Sequence, residues 1–176
     1  MTNVALDCSG TIAVPGGTSQ RGAYNARLKL PPGDALTRDL VIGVPTNANS
    51  TALLQLRSTR MTVTNLATVG LRGTISNVVD GASGGLDLAG AASLVVSNGG
   101  KITLVFQPPR DPEIRVYWGL RWAGNHASAL QALQSAGQLG WNDSALASNG
   151  VAIFVYRGYT YIGRVFAPHG SLLRVR

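Results

Sequence analysis

The chain is short of the groups on which most catalytic and metal chemistry depends. Its 176 residues include one cysteine, Cys8, and two histidines, His126 and His169. A lone cysteine forms no internal disulfide, so stability must come from an apolar core and from contacts between subunits. Zinc sites use three or four ligands, and these three residues lie too far apart in sequence to suggest one. Charged residues make up 13% of the chain, about half the usual share. With 45% apolar residues this composition excludes a disordered, highly charged tail. No apolar run reaches the roughly 18 residues of a membrane-spanning helix, and no export leader is read at the N-terminus. G-x-x-x-x-G-K, H-E-x-x-H, C-x-x-C and G-x-S-x-G are all missing. Asp111 and Glu113 flank Pro112 in an expected loop, a poor setting for a glycosidase pair. The expectation is a chain that is not an enzyme and holds neither metal nor cofactor.

What the chain does have is glycine and arginine. Glycine occurs 22 times without the strict three-residue period of collagen. The net charge is +7, and thirteen of the fifteen cations are arginine. Arginine makes forked contacts to carboxylates and lies against aromatic faces, so it suits interfaces. No acid follows Asp143, whereas Arg157, Arg164, Arg174 and Arg176 do. No dense basic run occurs, which argues against a dedicated nucleic-acid tail.

Short alternating runs separated by turn residues read as a mainly β chain. Asn3–Cys8 and Thr11–Val14 flank Ser9-Gly10, which reads as a tight turn. Further runs are Asn25–Leu30, Leu40–Val44, Leu53–Arg57, Met61–Leu66, Val69–Val79, Leu86–Leu88, Ser93–Val96, Ile102–Phe106 and Ile114–Trp118. Ser58-Thr59 and Asn98-Gly99 sit between runs as two-residue hairpin turns, Asn-Gly being favoured where both residues need positive φ. Three prolines in Gln107–Pro112 interrupt any ladder and set a minor sub-boundary near 108–112. An apolar stripe through Ala127, Leu130 and Leu133, opened by Asn125 and stopped by Gly137, predicts one short amphipathic helix near 125–137. Val151–Tyr156 and Thr160–Phe166 form a hairpin through Arg157-Gly158-Tyr159, and Ser171–Arg176 a last strand. No repeat of fixed period appears. The fold expected is a single β-rich domain over 1–176, an antiparallel β-sandwich or jelly-roll-like barrel.

Aromatics form two groups, Tyr117-Trp118 with Trp122, and Tyr156, Tyr159 and Tyr161. Trp118 and Trp122, four apart, are expected on one strand face. Core packing is the default reading for both; exposed, they are the candidate aromatics for a glycan or another partner. Tyr159, at a hairpin tip, joins Arg157, Arg164, Arg174 and Arg176 as the candidate interface.

The stretch Leu86–Phe106, LDLAGAASLVVSNGGKITLVF, resembles a strand–turn–strand pattern of β-rich structural proteins in tailed bacteriophage virions. The tryptophan that commonly follows comes late here, at Trp118, after the proline-rich insert. The resemblance covers about 21 residues and implies a virion component made in the host cytoplasm: a capsid-decorating or head-fibre protein, or a tail or baseplate part. Its partners would be further copies of itself, other virion proteins and a host-surface glycan. The alternative expectation is a carbohydrate-binding β-sandwich module.

Overall fold

Alternating apolar and polar residues send one side of each strand inward, and here the inward sides of two sheets meet. A computed structural model describes residues 6–14, 25–43, 51–80, 84–97, 99–107, 116–142 and 150–165. Among them are thirteen strands and one helix. An eight-stranded sheet contains β1 (Leu6–Val14), β3 (Gly33–Ile42), β5 (Thr59–Val69), β7 (Gly85–Leu88), β8 (Ser93–Val96), β10 (Val116–Ala123), β12 (Ala152–Tyr156) and β13 (Tyr159–Val165). A five-stranded sheet contains β2 (Asn25–Lys29), β4 (Thr51–Arg57), β6 (Gly73–Val79), β9 (Lys101–Phe106) and β11 (Leu139–Asn142). The helix α1 (Ala127–Ser135) lies between β10 and β11 and packs against β11 and β12.

Consecutive strands from β1 to β6 alternate between the sheets, so the chain winds as a coil. Each strand pairs in parallel with its counterpart one winding on. In the larger sheet β1 pairs β3, β3 pairs β5, and β5 pairs β7 and β8. In the smaller sheet β2, β4, β6, β9 and β11 follow one another in the same sense. Side-chain bonds between windings therefore join residues 26, 27 and 28 apart, as in Thr51–Asn25, Arg60–Asp87 and Arg27–Gln55. Only at the last windings does the larger sheet turn antiparallel, through β10–β13 and β13–β12.

A mainly β chain of two facing sheets with one short helix is thus observed. The expected antiparallel ladders are replaced by parallel ones over most of both sheets, and a jelly roll is built of antiparallel strands. Parallel pairing needs a long crossover, and here the crossover is a strand of the opposite sheet. Ser58-Thr59 is a corner rather than a hairpin turn, because β4 and β5 lie in different sheets; Ser58 bends it with φ 52°. β8 and β9 are likewise in different sheets, so no hairpin joins them; Asn98 itself lies outside the described residues. Ser9-Gly10 is a bulge within β1, marked by a register shift between Cys8 and Thr11. The hairpin at Arg157-Gly158 is present, with φ 47° and 78° at its two central residues. The expected sub-boundary near 108–112, Asp111, Glu113, His169 and the strand 171–176 lie outside the described residues.

One apolar cluster fills the space between the sheets. Leu40, Ile42, Met61, Val63, Leu86, Leu88 and Leu120 enter it from the larger sheet, and Leu54, Leu56, Ile75, Ile102 and Leu104 from the smaller, all almost fully buried. Burying a side chain of this size contributes about 1.5–3 kcal/mol. Asn77 crosses the core, its amide Nδ2 donating to the Gly119 carbonyl at 2.9 Å. The helix starts later than expected. His126, not Asn125, is the N-cap residue, and its N–H donates to Thr160 Oγ1 at 2.7 Å. Leu130 is the helix residue that reaches the core, and Gly137 closes the helix at φ +69°.

Candidate functional site

Among the described residues the outer side of the larger sheet carries a dense group of charged and aromatic side chains. Asp87 lies between Leu86 and Leu88, which point inward, so its carboxyl points outward from β7. It is nevertheless fully covered, because Arg60 of β5 and Arg121 of β10 close over it. Arg121 donates from Nε to Oδ1 at 2.8 Å and from Nη2 to Oδ2 at 2.5 Å, a forked pair. Arg60 donates from Nε and Nη2 to the same Oδ2 at 3.2 and 2.9 Å. Hydrogen bonding to Asp87 raises the Arg121 pKa above its ordinary value, against the opposing effect of burial.

Aromatic rings surround this group. The Arg121 guanidinium carbon lies 4.8 Å from the Tyr159 ring centre and 5.4 Å from that of Trp118, within cation–π range. Tyr161 and Phe154 stack at 5.3 Å with 13° between planes, and Tyr159 and Tyr161 are 6.2 Å apart. The Trp118 indole rests against Gly85, where an added Cβ would strike the ring. Beside Arg60 opens a groove of about 370 Å³ lined by Asp7, Asp34, Leu36 and Thr62.

Trp118 and Trp122 do not share a face. A register shift between Trp118 and Leu120 inserts Gly119 as a bulge, and one extra residue reverses the alternation. Trp118 stays outside while Trp122 turns inward, 6% exposed. There it stacks on His126 at 3.9 Å and donates Nε1–H to the Ala92 carbonyl at 2.8 Å. Trp122 is therefore a core residue rather than a ligand platform.

Of the candidate interface residues, Tyr159 belongs to the outer cluster. Arg157 is exposed at the hairpin tip, 5.2 Å from the Tyr156 ring. Arg164 pairs in register with inward-facing Tyr117 and is half-buried, away from that cluster. Arg174 and Arg176 lie outside the described residues.

Asp87, Arg60 and Arg121 were not singled out by sequence, nor was Phe154. The available signal was a lone acid inside the apolar run Leu86-Asp87-Leu88, which needs a cationic cover wherever the strand is buried. A second groove, of about 430 Å³ and lined by Lys29, Leu30, Pro31, Pro32 and Arg57, is basic, but Arg57 is already paired with Asp80 at 3.1 Å. Among the described residues no group of three or more His, Cys, Asp or Glu side chains is placed to hold a metal ion, and no helix is long and apolar enough to cross a membrane. Comparison of the chain with protein-family models, curated proteins and solved structures finds no match.

Proposed function

We propose that this chain is a non-enzymatic structural subunit that assembles with further copies of itself. Its two facing sheets are read as one coil-like sandwich spanning the whole chain. The setting that fits is a bacteriophage virion, as a decoration, head-fibre, tail or baseplate component with other virion proteins as neighbours. The observation that carries the reading is the first winding. β1 has six exposed residues of nine, including Leu6 at 42% exposure, and it pairs with β3 along most of its length. Long, weakly charged edge strands are ready templates for another strand. β1, LDCSGTIAV, carries one charge, no proline and one bulge, whereas β2, NARLK, is guarded by Arg27 and Lys29. A second copy of the chain is the occupant proposed for β1. Arg157, Arg164, Arg174 and Arg176 remain proposed contacts at such interfaces.

Light scattering or mass photometry at micromolar concentration tests this. The expected result is a stable oligomer. Thr11→Lys with Ala13→Lys, which places two charges along the exposed strand, should return the chain to a folded monomer. A wild-type protein that runs as a clean monomer, or a double variant that assembles unchanged, overturns the reading.

A further inference from the structure

We infer that copies of this chain join head to tail through the larger sheet, β12 of one copy pairing in parallel with β1 of the next. The inference rests on the assembly reading and names the strand that β1 receives.

Two inward rows of register partners cross the whole sheet. One runs from Leu6 of β1 through Met61, Leu86 and Leu120 to Ile153 of β12. The other runs from Cys8 through Val63, Leu88 and Trp122 to Val155. Between their ends no residue of either row is more than 6% exposed. At the ends Leu6 is 42% and Val155 48% exposed, and Cys8 and Ile153 are half-buried. The core rows are thus open at both ends of the sheet, and a strand added there would give each row its next member.

The two ends fit each other. β1, β3, β5, β7 and β10 are parallel; β13 reverses the direction and β12 restores it, so β12 runs in the sense of β1. Among the described residues each has one neighbour in the sheet, which leaves a row of backbone N–H and C=O groups to pair. β12, AIFVY, has neither charge nor proline. α1 packs against it, yet Val155 and Tyr156 stay exposed. On the outer face Asp7 and Asp34 are exposed at the β1 end, whereas the β12 end has exposed Arg157 and no acid on β12 or β13. Joining like ends would gather like charges from both copies; joining unlike ends brings opposite charges together. Such a contact is heterologous, so it builds a ring or a filament rather than a closed pair.

In unbroken register Val155 stands beside Cys8 of the next copy. The strand spacing of about 4.8 Å lies within the roughly 4.4–6.8 Å between Cα atoms that a disulfide spans. Val155→Cys, oxidised with copper–phenanthroline, should therefore give a ladder beyond the dimer on a non-reducing gel. Adding Cys8→Ser should abolish the ladder. Ile153→Cys covers a register slipped by two residues, and Tyr156→Cys, on the opposite face, is the control and should not cross-link. Ala152→Lys with Val155→Lys blocks β12 and should be monomeric by light scattering, as should the β1 variant Thr11→Lys with Ala13→Lys. An equimolar mixture of the two should form dimers, since one keeps β1 and the other β12. Circular dichroism reports the fold, and if a lysine variant fails to fold the cross-link decides. A wild-type oligomer with no Cys8-dependent ladder from either inward cysteine overturns this inference and leaves the assembly reading standing. Dimers from Val155→Cys with Cys8→Ser, which join β12 to β12, overturn it too. A monomeric wild type overturns both readings.

Discussion

Tyr117 carries a hydroxyl into a place almost closed to water. The residue is 1% exposed, edge-on to Phe106 at 5.7 Å, and its hydroxyl faces the carbonyl oxygens of Val79 and Gln107. Burial pushes its pKa up to about 12 from the ordinary 10.0. A phenol whose folded pKa exceeds its unfolded value adds stability that is full below the unfolded value and lost as pH rises through the folded one. Urea melts from about pH 9 to about pH 12 should therefore show falling stability above pH 10, by about 3 kcal/mol at most. Tyr117→Phe should flatten that slope while costing about 1 kcal/mol at neutral pH through the lost hydrogen bond. A wild-type curve flat through this window would contradict the assignment. At this scale the sequence names the aromatics but not the faces they take. Trp118 and Trp122 are four apart, and no residue pattern announced that Gly119 would be a bulge. Asp87 was visible as an acid in an apolar strand, yet its partners Arg60 and Arg121 are 27 and 34 residues away.

The strands themselves were legible, because alternation and β-branched residues depend on local contacts alone. The joint at Ser58-Thr59 and the one between β8 and β9 read as hairpins but are not, since a tight hairpin and a sharp corner both call for residues with positive φ; the expected hairpin at Arg157-Gly158 is present. Gly70–Gly73 shows such a corner. Gly70 N–H donates to the Ile42 carbonyl at 2.7 Å, Gly73 N–H to Gly70 at 2.9 Å, and Arg72 has φ 55°. A Cβ on Gly73 would overlap the Ile42 carbonyl oxygen, which is backbone and cannot swing aside. Gly73→Ala should therefore cost about 1–3 kcal/mol in a denaturant melt, the range of overpacking. Gly140→Ala, on a strand with nothing within 4 Å of the added carbon, is the control and should be near neutral. Equal effects of the two would remove the steric account. The helix was recognised by its apolar stripe, but its start moved by one residue because the His126 amide finds Thr160, 34 residues on.

For the whole molecule, the winding was hidden because its length varies. Contacts between windings join residues 26, 27, 28 and then 34 apart, so no fixed period survives in the sequence. A coil also distributes stability unevenly, since each winding is held chiefly by its neighbours. Among the described residues β1 pairs in its sheet with β3 alone and is mostly exposed, whereas β5 is flanked by β3 on one side and by β7 and β8 on the other. Amide exchange of the dispersed protein should release β1 and β2 at lower opening free energy than β5 and β6. Uniform protection across all windings would show a single cooperative unit instead.

The parallel register has a mechanical consequence. Backbone hydrogen bonds between windings run across the strands, along the direction in which the coil advances. A pull applied between its first and last windings therefore loads a whole ladder at once. Between the second and third windings that ladder holds nine register pairs from β3 to β5 and six from β4 to β6. A pull on a single strand end instead breaks those bonds one after another. The fold should thus be stiff when gripped by its end faces and weak when peeled from an edge, so its attachment points would decide how much force it bears.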